Sequence, residues 1–435
     1  MYVMSNVISS RQIVKLKNTA SFVIDFALTY PKLPDSKKGV WLKNNIQKLG
    51  PTYVKIAQFL ASRSDVINDK YIVSGLKQLQ DNADYIPWTV AKQIIQSNTN
   101  INEFKSIDQK PLAAASIAQV HRAVLKNNKN VVIKIKRPNI KTEIQSDLQI
   151  LEIWISILSY FIGSNNNKIV DAKNMIADIQ NSIIKETNFE NEIKNIEIMR
   201  KNVQQFSQFV KIPFVYKQLS SPDLIVMEYV PSIKFTKVND TSLAYTIMDV
   251  FVQQFLQYGI LHGDPHEGNI ALSLDRKNIV MYDLGHIVYL DAHVRALMKV
   301  MVFEIMTENV DGVIKVMDKM PDLIEIRNKE NIKEYIIKYI KYIKTIDIKY
   351  LKSMGLPSSS AGPIVEQDIP IKFSGTIYEI VRVFGIIEGI CIKLDPNFKY
   401  ENVFIKYIDV LLLDIDFVSY KIDNDVGKLM NMFSF

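Results

Sequence analysis

His262-Gly263-Asp264-Pro265-His266-Glu267-Gly268-Asn269, followed by Asp283-Leu284-Gly285, decides how this chain is read. The two segments follow the order H-x-D-x-x-x-x-N and then D-x-G. Phosphoryl-transfer sites of protein-kinase type use this arrangement to place one proton acceptor and two metal ligands. Asp264 is placed to accept the proton of an incoming hydroxyl or to orient water, while Asn269 and Asp283 offer oxygens to Mg2+ bridging nucleotide phosphates. Ile260-Leu261 before the loop, and Asn278–Tyr282 after it, apolar but for Asn278, predict short extended segments around a turn, the context this pattern requires. A Gly/Pro-rich hairpin with chance acids would explain neither the five-residue step from Asp264 to Asn269 nor an Asp-x-Gly one hairpin later.

Upstream, Val131-Val132-Ile133-Lys134-Ile135 is a β-branched run that suits a strand. A lysine fixed on a rigid strand suits neutralisation of the α- and β-phosphates of ATP. It needs a carboxylate partner, and Glu186 and Glu192, on a helical pattern over 171–206, are the candidates. Ala113-Ala114-Ala115-Ser116 stands where G-x-G-x-x-G would precede such a lysine. Alanine visits positive φ less readily than glycine, so a stiffer loop over the phosphates is predicted. Leu224–Pro231 reads as a strand running into a proline break at the place of a hinge, and the backbone of Glu228, Tyr229 and Val230 is the candidate to pair with adenine.

The 435 residues suffice for two lobes and an extension. Residues 1–108 carry helical apolar periodicity through Ser21–Tyr30, Tyr53–Ala61 and Ile72–Leu79 and read as a helical N-terminal extension. Residues 109–230 read as a small nucleotide-binding lobe, with further helical patterns at 141–162 and 171–206. Residues 231–435 read as a mostly helical catalytic lobe with a Pro/Gly/Ser-rich loop near Gly355–Pro370. The class is α+β. Cys391 is the sole cysteine, so no internal disulfide framework exists, and it reads as a buried small apolar residue. A formal charge of +7 favours contact with anions, nucleotide or phospholipid headgroups among them. No Lys/Arg block interleaved with aromatics and no zinc-ligand spacing occurs, so nucleic acid is not an expected partner. The longest apolar run, Ile150–Gly163, carries Glu152 and falls short of the roughly 18–20 residues that span a bilayer; Val410–Leu413 is interrupted by Asp414 and Asp416. A cytoplasmic or peripheral-membrane protein is expected. Before the first acid, Asp25, stand Arg11, Lys15 and Lys17 with several serines, which suits either an organelle (mitochondrial) leader or a basic helix touching a membrane face.

Six ordered motifs between about Leu49 and Phe398 resemble those of the UbiB-type, or aarF-domain-containing, atypical kinases. Leu49–Gln58 resembles the family's K-x-G-Q signature, with Lys55 and Gln58 at its ends, and Ser62–Asp65 and Leu79-Gln80-Asp81 follow as they do there. Pro111–Ala123 is similar to its alanine-rich loop, and Lys134 with Lys136-Arg137-Pro138 to its lysine strand. Glu186-Thr187-Asn188 with Glu192 and Asn195 is similar to its E-x-D helix, and Gly389 with Leu394–Phe398 to its C-terminal signature.

The resemblance implies a two-lobed protein-kinase-like fold with a helical extension laid over the active site. It also implies ATP and Mg2+ dependence and support of isoprenoid-quinone (coenzyme Q) metabolism at membranes, with a quinone-like ligand and quinone-biosynthesis proteins as partners. Lys55 and Gln58 would then lie where a peptide substrate otherwise sits, which favours ATP hydrolysis or transfer to a small or lipid-like acceptor over protein phosphorylation. Two other functions compete. One is a nucleotide-binding pseudokinase that acts as a lipid- or protein-binding scaffold. The other is a small-molecule kinase of aminoglycoside or choline kinase type, whose loops also read H-G-D-x-x-x-x-N but which lacks the alanine-rich loop and the Lys55/Gln58 helix. The chain departs from the family pattern at Ala57, Asn188, Glu267 and Leu284, which stand for glycine, aspartate, proline and phenylalanine.

Overall fold

The structure is a computed structural model that describes residues 10–62, 70–77, 79, 85–163, 167–206, 208–345, 370–400, 402–405 and 407. In chain order its elements are α1 (Ser10–Thr29), α2 (Asp35–Leu49), α3 (Pro51–Ser62), α4 (Lys70–Lys77), α5 (Trp88–Asn98), β1 (Phe104–Ile107), β2 (Ala113–Ala114), β3 (Ala118–Leu125) and β4 (Asn130–Lys136). There follow α6 (Ile140–Ile162), α7 (Asn167–Glu186), α8 (Phe189–Asn202), β5 (Val210–Lys211), β6 (Leu224–Glu228), β7 (Ser232–Ile233) and α9 (Ser242–Gln253). Next come β8 (Ile260–His262), β9 (Ile270–Ser273), β10 (Ile279–Met281) and β11 (Ile287–Tyr289). Last are α10 (Ala292–Met306), α11 (Val310–Asp318), β12 (Ile324–Ile326), α12 (Ile332–Thr345), β13 (Ile371–Phe373) and α13 (Gly375–Leu394). Contacts divide the chain into two units, Met1–Lys194 with Phe214–Tyr229, and Asn195–Pro213 with Val230–Phe435.

The first unit holds an antiparallel sheet of order β1-β3-β4-β6, with β2 paired to β3. The sheet starts ahead of residue 109, because β1 is already one of its strands. Strand alternation sorts β4 into two faces. Val131, Ile133 and Ile135 are fully buried in one cluster with Ala91 and Ile95 of α5, which leaves Lys134 and Lys136 to the other face. The β2–β3 connection is a tight turn in which Ala115 N–H donates to Ala118 C=O at 2.8 Å. Its tip residue Ile117 is buried in a second cluster with Leu42, Ala57, Leu76, Ile144 and Ile183 of the surrounding helices.

Helices α2 and α4 cross with their backbones in contact. A Cβ at Gly75 would fall 2.7 Å from the Gly39 carbonyl oxygen and 2.8 Å from its Cα. The helical pattern over 171–206 proves to be two helices. Thr187 Oγ1 donates to the Ile184 carbonyl at 2.8 Å and ends α7, and Asn188 Oδ1 accepts the Asn191 N–H at 3.2 Å and caps α8. Apolar periodicity runs through such a break because the core face resumes on the far side.

In the second unit α9 continues through one π turn, Gln254–Tyr258, that Gly259 closes at φ +64°. The extended segments expected around the Asp264 loop are β8 and β10. Strand β8 pairs with β11, while β10 lies in a sheet of order β5-β10-β9-β7. Helices α9 and α13 pack on each other, and Ile247 and Phe251 of the first and Val383 and Ile387 of the second are fully buried. Asp395, just past α13, accepts the Tyr245 hydroxyl at 3.1 Å, and Phe398 packs on the Tyr245 ring at 5.1 Å. The C-terminal signature therefore ties the end of α13 to α9. Cys391 is a core residue as expected: burial pushes its thiol pKa up, and the thiol donates to the Ala244 carbonyl at 3.2 Å.

Arg63–Asp65, Gln80-Asp81, Ser164–Asn166, Val410–Leu413 and all of the Gly355–Pro370 loop but Pro370 lie outside the described residues. Among the described residues no helix is long and apolar enough to cross a membrane.

The α2–α4 crossing gives a direct test. A methyl at Gly75 meets backbone that cannot swing aside, so Gly75→Ala should destabilise the protein by roughly 1–3 kcal/mol. At helical Gly385, where a Cβ meets nothing within 4 Å, the same change should be neutral or stabilising by up to about 1 kcal/mol. Urea unfolding of the two variants checks the pair.

Candidate active site

In the first unit Lys134 Nζ donates to both carboxylate oxygens of Glu192, at 2.7 and 2.9 Å. The glutamate is 2% exposed and the lysine 14%. Phe189, the buried first residue of α8, lies under Lys134 and Lys136, with Nζ-to-ring distances of 5.4 and 4.9 Å. Lys136 is held in turn by Asp223 and the Pro222 carbonyl. Of the two glutamates considered for Lys134, Glu192 is the partner. Glu186 lies before the α7–α8 break and pairs instead with Lys55 on α3, at 2.7 Å. Gln58 follows on α3, and its side chain lies outside the described residues.

Ala113 and Ala114 form β2, and Ala115 and Ser116 lead into the turn. None of the four has positive φ, so the hairpin makes no use of the freedom glycine would have offered. Glu228 and Tyr229 commit their N–H groups within the unit, to the Phe214 and Asn130 carbonyls at 2.7 and 3.0 Å. His121 and Gln119 form a buried network behind this sheet. The Asp108 carbonyl, 2.8 Å away, can only accept, so His121 Nδ1 carries the proton and Nε2 accepts from Gln119 at 2.9 Å. Burial lowers the His121 pKa, consistent with a neutral ring.

In the second unit the loop after β8 is fixed from several sides. Asp264 N–H donates to His262 Nδ1 at 3.2 Å, and His262 N–H donates to Gln254 Oε1 at 3.1 Å. Asn269 Nδ2 donates to the Asp264 carbonyl at 3.0 Å. The Asn269 carbonyl accepts from Tyr282 N–H at 2.9 Å, which places Asn269 and Asp283 at the same end of the β9–β10 hairpin. Asp283 Oδ1 accepts the Gly285 N–H at 3.0 Å, and Asn195 Nδ2 donates to the Leu284 carbonyl at 2.9 Å. The Val230 carbonyl accepts the Tyr282 hydroxyl at 3.0 Å.

Arg382 on α13 grips the same loop. Nη2 donates to the Gly263 carbonyl at 2.6 Å and Nη1 to Asp264 Oδ1 at 3.3 Å. A Cβ at Gly263 would fall 2.1 Å from His286 Cδ2, so a side chain there requires the His286 ring to shift.

The sequence profile of the ABC1 atypical kinase-like domain matches residues 78–317. The chain belongs to this family. "Protein ACTIVITY OF BC1 COMPLEX KINASE 7, chloroplastic" of Arabidopsis thaliana is 27% identical over 386 residues, covering 86% of this chain and 54% of that protein. "Probable protein kinase UbiB" of Shewanella baltica is 34% identical over 249 residues, covering 54% of this chain and 45% of the relative. The chain thus spans about half the length of the curated relatives it matches. Among solved structures, Rv3197 of Mycobacterium tuberculosis, determined in complex with erythromycin, superposes with a TM-score of 0.54 at 16% identity, covering 89% of this chain and 94% of that one. It shares the fold. The resemblance to UbiB-type kinases read from the motifs is borne out, as is the kinase-like α+β fold.

The departures from the family motifs have local explanations. Ala57 buries its methyl in the cluster around Ile117, and the oxygen that Asn188 retains caps α8. Glu267 makes an ion pair with Lys393 of α13 at 2.6 Å, and Leu284 is fully buried. Arg382 and Phe189 escaped the sequence reading. A signal for the first existed: kinase loops of the H-R-D kind carry an arginine beside the aspartate, and a glycine there leaves that cation to come from elsewhere in the chain.

His262 is fully buried, and its Nε2 has no hydrogen-bond partner among the described residues. Desolvation pulls its pKa down to about 4, against the smaller opposing pull of Asp264 and Asp283. An unfolded imidazole titrates near 6.5, so on acidification the unfolded chain takes up a proton that the folded one refuses. The contribution is full above about pH 6.5 and is lost as pH falls toward 4, roughly 3 kcal/mol in all. Urea midpoints measured at about pH 7.5 and about pH 4.5 should fall less in His262→Asn than in the parent; an equal fall in both would contradict the assignment.

Proposed function

We propose that this protein is a Mg2+-dependent nucleotide-binding enzyme that hydrolyses ATP or transfers its terminal phosphoryl group to a small or lipid-like acceptor. The bidentate Lys134–Glu192 pair carries this reading. A nearly buried ammonium on a central strand, held by a carboxylate on a helix packed against it, is the device that positions a cation against nucleotide phosphates. Lys134 neutralises the phosphates in this reading, the Ala113–Ser116 hairpin lies along them, and the Val230 N–H pairs with adenine.

The donor set suits Mg2+. Asn269 spends its amide nitrogen on the Asp264 carbonyl, which leaves the amide oxygen as the donor to a cation, and Asp283 adds a carboxylate oriented by Gly285 N–H. Two hard oxygens completed by nucleotide phosphates are how Mg2+ is usually held. When bound, the ion neutralises charge on the phosphates. Asp264 accepts the proton of the attacking water or hydroxyl at its carboxylate, and Arg382 holds that carboxylate in place. Lys55 paired with Glu186 supports the reading in which the K-x-x-Q helix serves the nucleotide and not a peptide. Support of isoprenoid-quinone metabolism rests on the UbiB relationship, and attachment at a membrane surface without a span accompanies it.

Asp283→Asn should lower phosphate release roughly a hundredfold or more while leaving the thermal melt in place. Hydrolysis at the parental rate, or nucleotide binding indifferent to chelation of Mg2+, would overturn the metal assignment. A parent protein that binds nucleotide yet neither releases phosphate nor labels an acceptor would support the scaffold reading instead. Arg382→Leu should reduce turnover on the order of tenfold to a hundredfold with little change in nucleotide affinity, because it loosens the base and not the phosphate site.

A further inference from the structure

Helix α1 is apolar on two opposite sides. Its inner side carries Phe22 and Phe26, which pack with Trp41 of α2 and with Tyr30 just past the end of α1; the Phe26 and Tyr30 rings stack at 4.7 Å. Its outer side, roughly half a turn around the helix, carries Ile13, Ile24 and Leu28, which are 57%, 56% and 60% exposed. Large apolar side chains exposed together on one side of a helix mark a surface that meets another apolar layer. The second turn of α1 is fastened to α6, since Lys15 pairs with Glu143 and Asp147 and Trp154 Nε1 donates to Thr19 Oγ1 at 2.9 Å. Beyond Trp154 the last turns of α6 bear Tyr160 and Phe161, 85% and 76% exposed, in a stretch with no charged residue from Ile153 to Asn167.

Charge decides what covers this surface. Residues 1–50 hold eight Lys and Arg against two acids, a net +6 beside +7 for the whole chain. Lys17, Lys32, Lys37 and Lys48 are exposed. A second copy docked here would bring two such segments together and be repelled. A bilayer with anionic headgroups supplies both an apolar layer for the aliphatic and aromatic side chains and negative charge for the lysines. We propose that the outer face of α1, together with the tip of α6, is the surface by which this protein lies in the headgroup region of an anionic bilayer. This deepens the peripheral attachment proposed above and rests on it.

The test uses the full chain and vesicles of phosphatidylcholine alone or mixed with phosphatidylglycerol. The parent should sediment with the mixed vesicles at low salt, release at high salt, and ignore the neutral ones. Ile24→Glu with Leu28→Glu, and separately Tyr160→Ser with Phe161→Ser, should each weaken binding about tenfold or more, since a single buried apolar side chain accounts for that factor. Nucleotide affinity and thermal melts should stay unchanged. A parent that ignores anionic vesicles sinks the peripheral attachment itself. A parent that binds, with variants that bind equally well, sinks only this surface. Dimerisation of the parent that Ile24→Glu with Leu28→Glu abolishes would make the face a contact between copies and overturn the proposal.

Discussion

A carboxylate only 2% exposed is costly to keep ionised unless a cation meets it at hydrogen-bond distance, and Glu192 meets Lys134 with both oxygens. Much of the first unit follows from that pairing. Lys134 must point away from the face that Val131, Ile133 and Ile135 bury, so the strand's period of two brings α8 against that opposite face. Phe189 then sits beneath Lys134 and Lys136, where its ring supports two neighbouring ammonium groups. For α8 to take this course the chain must turn after α7, and Thr187 and Asn188 end one helix and start the next. The turn also divides the work of two glutamates six positions apart. Glu186, ahead of it, holds Lys55; Glu192, beyond it, holds Lys134.

A related economy governs the loop of the second unit. Its aspartate lacks the arginine that precedes it in H-R-D loops, and the space such a side chain would occupy belongs to the His286 ring. The cation comes from α13 instead, where Arg382 binds Asp264 and the Gly263 carbonyl, and Lys393 on the same helix binds Glu267. Helix α13 therefore fastens both ends of the loop. Its own position depends on packing against α9 and on the Asp395–Tyr245 contact that follows it. The C-terminal signature, which has no evident chemistry of its own, thus connects through packing to the residue read as the proton acceptor.

Local pattern carried a good deal of this. The strands around the Asp264 loop, the Lys134 strand and the helices of residues 10–62 were legible because alternation and apolar spacing are local properties. The α7–α8 break was not, since it depends on two polar side chains turning back to the backbone inside an otherwise unbroken apolar rhythm. Neither was the choice between Glu186 and Glu192, which depends on the break. Gly263 signalled that a cation for Asp264 comes from elsewhere, but not which one: Arg382 lies 118 positions from Asp264, and no local pattern joins residues that far apart. Glycine's absence from the alanine-rich hairpin was visible, but only the backbone shows that none of its residues needs positive φ.

The central claim is that Lys134, held by Glu192, receives the nucleotide phosphates. A double-mutant cycle on Mg-ATP affinity tests it most directly, using the parent, Lys134→Met, Glu192→Gln and the combination. Residues that act as one pair are strongly non-additive. Each single change should weaken binding about tenfold or more, and the double variant should bind no worse than the weaker single. Losses that simply add, or single variants that bind Mg-ATP like the parent, would contradict the account.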